Sequence, residues 1–548
     1  MFPPMNRFQP ELGPQGNGPY RLLRGVHERQ VEAFLRDLER PEEAQRRALQ
    51  RILALGRRSA FGAEHGLDRV TTLEELRAAV PVRDAEAHRP WLDRVAAGER
   101  DVLTTEKVSM LLETSGTTGR PKHLPVTASW ARTVSEAQQL WVLGLVRDFE
   151  ALASGKALTV VSPAEHARSP GGLPIGANTG RMHRAQPWWL RLRYPVPYSV
   201  LELAPTELKH YAILRFALAA DIRSITTANP STLLLLCRRL LEWAEPLARD
   251  LAEGTLRHGP AAELPPSRRR WLEWRLSRRR PPEDWRPAKI WPLAVVNCWK
   301  GGPAAYFVGR LEAALGGPVP VREVGITASE GFFGVPLGDW DGGVLYTPGH
   351  LMELADASGQ IRGAWELQPG ERGRLIVTTE AGLYRYDLDD VVECIGTCGQ
   401  TPVIRFVGKG RRVLNAVGER VTEAQAADAL AAAAARTGLS PIGFTLGVQL
   451  GEVPRYRLAV ELAEEADPGP LAQAVDQALR ALNVEYEGRR ESGRLGPPSV
   501  LRVVPGTFLG YRQRRVSAGA PEGQVKDPVL SLDDAEWSRV LGETENPG

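Results

Sequence analysis

A short apolar run, Leu111-Leu112, leads into Glu-Thr-Ser-Gly-Thr-Thr-Gly-Arg-Pro-Lys122. This stretch constrains the fold more than any other, because a strand must end there in a tight, open loop. Glycine lets a backbone approach a ligand closely, and the hydroxyls and amides of Ser115, Gly116, Thr117, Thr118 and Gly119 are donors suited to an anion. The loop is not a Walker sequence, which needs G-x4-G-K-[ST]; here Gly116 and Gly119 are three apart and Lys122 precedes His123. By composition alone, a Ser/Thr/Gly stretch fits a plain turn better than a phosphate site. The full pattern T-S-G-T-T-G-x-P-K is far more particular.

From about residue 101 the texture is α/β, with short β-rich runs (108–112, 157–161, 374–378) alternating with helical patterns. Residues 19–58 have the spacing of an amphipathic helix, and Asn229-Pro230-Ser231 starts a long helix expected to run to Leu251. The last part of the chain reads as a small α/β unit: helix 423–436, strands 443–449 and 455–462, helix 471–482 and strand 500–504. Gly408-Lys-Gly-Arg-Arg412 is suited to a hinge before it.

The balance of 69 basic and 66 acidic residues leaves a formal charge of +3, which is no warrant for nucleic-acid or membrane binding. The Arg-rich segment 264–287, with Trp271 and Trp274, therefore reads as a short exposed helix between proline breaks. Four cysteines are too few for a disulfide framework in 548 residues. Cys394 and Cys398 lack a second pair to complete a zinc site, and His65, His123, His166 and His183 have no metal-set spacing. No G-x-S-x-G elbow makes Ser329 a hydrolase nucleophile. No leader or long apolar span is evident, so a cytoplasmic protein is expected.

Further elements follow the loop in order: Gly325-Ile-Thr-Ala-Ser-Glu-Gly-Phe-Phe-Gly334, Ala381-Gly-Leu-Tyr-Arg-Tyr-Asp-Leu-Asp-Asp390, the run "VIRFVGK", "RVVPGTF", and "SAGAPEGQVKDP" with Lys526. Together with the loop they resemble the adenylate-forming superfamily. Their wording is similar to one branch, the auxin-responsive acyl-acid amido synthetases (the Gretchen Hagen family of plants and their bacterial relatives). The resemblance runs from about residue 55 to 530.

The resemblance implies an adenylate-forming α/β fold. A large N-terminal domain (1–408) would combine helix-flanked sheets with a small β-barrel-like subdomain, and a hinge (409–412) would join it to a small mobile α+β domain (413–548). It implies a ligase that uses ATP and Mg²⁺ to convert a carboxylic acid to acyl-AMP and then to an amino-acid amide, working as a monomer or weak dimer. In this chain Ser115–Gly119 and Lys122 would hold phosphates, and Ile326 and Thr327 would lie at the nucleotide. Ser329 would donate to the α-phosphate, Glu330 would ligate Mg²⁺, Asp390 would accept from the ribose hydroxyls, and Arg405 would sit near ribose or phosphate. Lys526 would stand between the attacking carboxylate and the α-phosphate. The acyl pocket would draw on residues 160–235, with Trp188, Trp189, Tyr194 and Tyr198 as candidates.

The chain departs from that branch in places. Ile326 replaces an aromatic platform, Asp389 stands where the branch has glycine, and Lys526 is followed by Asp527-Pro528-Val529. The alternatives are a thioester-forming ligase using coenzyme A and a nucleotide-binding relative without catalysis.

Overall fold

The computed structural model describes residues 7–114, 122–203, 206–302, 304–410, 412–417, 419–451, 453–491, 493–518, 520 and 525–542. The phosphate-loop candidates Ser115, Gly116, Thr117, Thr118 and Gly119 lie outside them, as does the side chain of Trp189. By internal contacts the chain divides into two units. The first holds 1–300, 307–388 and 392–406; the second holds 301–306, 389–391 and 407–548.

The first unit contains a four-stranded parallel sheet in the order Lys156–Thr159, Ile222–Thr226, Val295–Cys298, Val321–Glu323. Its strand Val295–Cys298 is buried throughout, as expected of a parallel strand covered on both faces. Crossover helices include Thr206–Leu218 and Pro230–Glu242. All four strands end on one edge, the usual place for a ligand in an open α/β sheet. The last of them runs straight into the 325–334 motif.

A second four-stranded sheet pairs Met110–Thr114 antiparallel to Lys122–Val126 and parallel to Pro174–Gly176, with Ala167–Arg168 at its edge. A nine-stranded sheet carries the other motifs, in the order Ile326–Ala328, Gly331–Val335, Gly343–Leu345, Thr401–Lys409, Tyr386–Cys398, Arg372–Thr378, Leu351–Ala355, Ile361–Gly363. Arg7–Phe8 adds to it beside Thr397–Cys398.

The second unit packs helices Glu423–Thr437 and Gly469–Leu482 with a sheet ordered Gly496–Arg502, Arg455–Leu462, Pro441–Gln449, Leu530–Ser531. Thr422 opens the first of these helices with a reciprocal capping box to Gln425. The elements expected here are all present, within a few residues of the expected bounds.

Two expected helices are divided. The N-terminal stretch forms three, Gly18–Val26, Glu28–Glu39 and Pro41–Gly56. Proline cannot donate within a helix and is best placed at its first position, where Pro41 sits. The helix starting at Pro230 ends at Glu242, and Ala244–Glu253 follows. Trp243 leaves helical dihedrals between them, and Pro246 accounts for the break: its ring would collide with the carbonyl four residues back.

The Arg-rich segment forms a helix, Pro266–Glu273, as expected. Its side chains serve the fold: Arg269 donates to the carbonyls of Ala262 and Leu264 at 2.8 Å each, and Glu273 is gripped at 2.8 Å by Arg257, which precedes the segment.

Candidate active site

The motif 325–334 is a β-hairpin whose strands meet at Ala328 and Gly331, so Ser329 and Glu330 form its tip. The hairpin packs tightly. A Cβ on Gly331 would lie 2.5 Å from Nε2 of His350, and Gly325 has φ +109°, where a side chain would strain the backbone. Trp130, near the start of helix Ala128–Asp148, fixes the tip by donating its indole N–H to the Glu330 carbonyl at 2.8 Å.

The Glu330 carboxyl is buried and accepts the phenol proton of Tyr386. Burial and this carboxylate hold the Tyr386 hydroxyl well above its ordinary pKa, so it stays a donor. Lys122, the first residue of the strand leaving the phosphate loop, donates from its ammonium to the same phenol oxygen at 3.3 Å. A cation, a phenol and a carboxylate from three separated sequence elements thus form one hydrogen-bonded chain.

Tyr386 is locked from several sides. It pairs as an isolated bridge with Arg83, and His88 meets its ring edge-on at 5.1 Å. Burial pulls His88 down to about 4, so the imidazole is neutral against the phenol. The preceding residue, Arg385, has φ +46° and lays its guanidinium on both oxygens of Glu353 at 2.9 and 3.2 Å. Arg77 joins the same carboxylate at 2.8 Å.

Other sequence candidates are placed as follows. Ile326 is buried and Thr327 donates to the Gly331 carbonyl at 3.4 Å, while Ser329 is half-buried. Arg405 is half-exposed and shares Glu393 with Arg372, each at 3.1 Å. Tyr194 and Tyr198 both pack against His183, the first tilted at 4.6 Å and the second stacked at 5.7 Å, whereas Trp188 is 69% exposed and stands in solvent.

In the second unit Asp390 is buried, with Oδ1 2.5 Å from the Lys409 ammonium. Asp389 beside it has φ +62°, the left-handed region in which aspartate is tolerated and glycine is at ease. Lys526 is exposed, between buried Val525 and buried Asp527. Arg512 anchors the segment on Asp527, with Nε–Oδ1 2.7 Å.

Three residues of the first unit were missed by sequence reasoning. Glu113, one residue before the phosphate-loop threonine, receives His166 at 2.6 Å and lies 3.7 Å from His123. Burial would raise this carboxyl, but the two histidines overcome it and hold it at about 2. Glu323 ends the last parallel strand and accepts the backbone N–H groups of Lys300, Val324 and Gly325 at 2.7, 2.9 and 3.0 Å. It thereby shapes the turn into the hairpin, although burial still raises its pKa. Arg181 is the third. Adjacency to the loop motif was a signal for Glu113; the other two had none.

All four cysteines are buried as thiols, held up at about 11 for Cys394 and about 12 for the others. Among the described residues, no cluster of His, Cys, Asp and Glu could hold a metal by itself, and no helix is long and apolar enough to cross a membrane.

Residues 30–321 match the GH3 family N-terminal domain, 348–409 the GH3 family central domain and 424–535 the GH3 family C-terminal domain. The chain belongs to the GH3 family. Indole-3-acetic acid-amido synthetase GH3.8 of Oryza sativa subsp. indica is 27% identical, over 92% of this chain and 91% of its own. Jasmonoyl-L-amino acid synthetase GH3.5 of Oryza sativa subsp. japonica is 24% identical, over 91% of this chain and 93% of its own. The solved structure of the GH3.15 acyl acid amido synthetase has the same fold, with a TM-score of 0.83 at 20% identity, covering 98% of this chain and 97% of that one.

Proposed function

We propose that the protein is an ATP-dependent acyl-acid amido synthetase. It joins a carboxylic acid to the α-phosphate of ATP with release of pyrophosphate, then passes the acyl group to the amine of an amino acid with release of AMP. The observation that carries this reading is the Lys122–Tyr386–Glu330 chain, which brings three GH3 sequence elements together around one carboxylate.

Two anions must meet in the first step, so catalysis is mostly positioning and charge neutralisation. The Ser115–Gly119 loop and Lys122 take the phosphates, and Ser329 donates to the α-phosphate. Ile326 packs against the adenine in place of an aromatic ring. Lys409 occupies one oxygen of Asp390, and the other accepts from ribose. Arg405 sits near the ribose or phosphate, and Lys526 neutralises charge between the attacking carboxylate and the α-phosphate.

A single buried carboxylate beside substrate phosphates is a donor set that suits Mg²⁺, so Glu330 fits as its protein ligand. When bound, Mg²⁺ offsets the negative charge of the phosphate oxygens. Tyr386 orients the Glu330 carboxylate for that role. For the second step, residues 409–412 serve as the hinge on which the unit carrying Lys526 turns. Tyr194, Tyr198 and His183 belong to the acyl side of the site.

The test is pyrophosphate release with ATP, Mg²⁺ and a panel of carboxylic acids, followed by product mass after adding each amino acid or coenzyme A. Acid-dependent release and an amide mass are expected. A thioester mass would move the protein to the thioester-forming ligases. ATP binding with no release for any acid would remove the catalytic reading.

A further inference from the structure

Several other arginines withdrawn from solvent have a carboxylate or two backbone carbonyls as partners. Arg385 has Glu353, Arg512 has Asp527, Arg412 has Glu423 and Glu536, and Arg215 has the carbonyls of Thr255 and Ser277. Arg181, on helix Asn178–Ala185, differs. Its Nε donates to the neutral amide oxygen of Asn178 at 2.9 Å, while its Nη2 is buried without a hydrogen-bond partner. Burial lowers its pKa, and no carboxylate opposes that shift. A desolvated cation without a counter-charge destabilises a protein. Such a group is well explained when a ligand supplies the missing charge.

Its surroundings define that ligand. The guanidinium lies 5.5 Å from the centroid of the Trp130 ring. This cation–π seat restrains the plane of the fork and leaves an edge to donate. The same indole donates its N–H to the Glu330 carbonyl, so Arg181 and the hairpin tip are separated by one aromatic ring. On the same helix, Gly180 lies against residues 162–164, and His183 holds the Tyr194–Tyr198 group. A planar cationic fork beside aromatic side chains is matched to the carboxylate of an organic acid.

We propose that Arg181 is a specificity-determining residue that binds a carboxylate of the acyl substrate. The inference rests on the ligase reading for its substrate class. The carboxylate is either the reacting one or a second acidic group on the same molecule.

The test compares wild type with Arg181→Met and Arg181→Lys. Thermal shifts are read without ATP, using benzoate, indole-3-acetate, hexanoate and glutarate, each paired with its neutral amide. Wild type should be stabilised more by at least one acid than by its amide. Arg181→Met should lose this preference while melting no lower than wild type without ligand, because an apolar chain replaces a half-buried cation that has no counter-charge.

In acid-dependent pyrophosphate release, Arg181→Met should raise the acid KM about tenfold or more with the ATP KM unchanged, and lysine should restore part of the loss. Loss for every acid identifies the reacting carboxylate; loss for glutarate alone identifies a second acidic group. The proposal is overturned if no acid is preferred to its amide, if Arg181→Met keeps the preference, or if only the KM for ATP or for the amino acid rises. Absence of pyrophosphate release with the thermal-shift difference intact would instead remove the ligase reading and leave Arg181 standing.

Discussion

Lys122 donates to the phenol oxygen of Tyr386 at 3.3 Å, and Tyr386 in turn donates to Glu330. The phenol is therefore a relay between a cation and the carboxylate proposed above as the Mg²⁺ ligand. Tyr386→Phe keeps the aromatic packing against His88 but removes the donor that aims Glu330. The variant should need roughly 10- to 100-fold more Mg²⁺ for half-maximal pyrophosphate release, the range that loss of an outer-shell partner produces, with the melting temperature nearly unchanged. An Mg²⁺ titration that superposes on wild type would falsify the relay.

Glu353 holds two arginines, Arg385 and Arg77, at the root of the strand that presents Tyr386. Glu353→Ala leaves both cations without their partner, one of them fully buried. A loss of about 3–5 kcal/mol is expected in urea unfolding, because breaking a buried pair strands an uncompensated charge. A loss near that of an average surface substitution would show that the cluster is dispensable.

Acid sensitivity should track Glu113. Its folded pKa of about 2 lies below the ordinary 4.5, so its ionised form stabilises the fold above the ordinary value. That contribution, of order 3 kcal/mol, fades as pH falls from about 4.5 towards 2. Glu113→Gln should flatten this part of the stability–pH curve relative to wild type. If both proteins lose stability in parallel over the window, His123 and His166 are not the partners that matter.

Lys526 and Asp390 should separate chemistry from binding. Lys526→Ala should lower acyl-adenylate formation by about a hundredfold or more, the scale for losing a donor to developing charge, with ATP affinity nearly intact. Asp390→Ala should instead raise the ATP KM, and it also strips Lys409 of its partner. Asp390→Asn, which keeps an oxygen acceptor, should bind ATP better than the alanine variant. Collapse of ATP affinity in Lys526→Ala with turnover intact at saturation would reverse the assignment.

Local sequence was enough to place the strand that enters the phosphate loop, the helices and strands of the second unit, and the ordered GH3 elements. Those features depend on contiguous residues: apolar periodicity, a cap such as Thr422 with Gln425, and motif spacing. Helix continuity was less legible. Leucine spacing ran through residues 19–58 and 231–251, yet Pro41 and Pro246 punctuate those stretches through steric and donor effects that periodicity does not register.

Tertiary structure alone decided which charges meet. Tyr386 reaches Lys122 across 264 positions, and Trp130 reaches Glu330 across 200. It also made Arg181 a cation without an anion and set Glu113 between two histidines. Sequence dictated residue types and local backbone preferences, because these act over a few bonds. Burial and pairing arise only when distant segments close around one another, and they set which groups stay charged and which are left without a counter-charge.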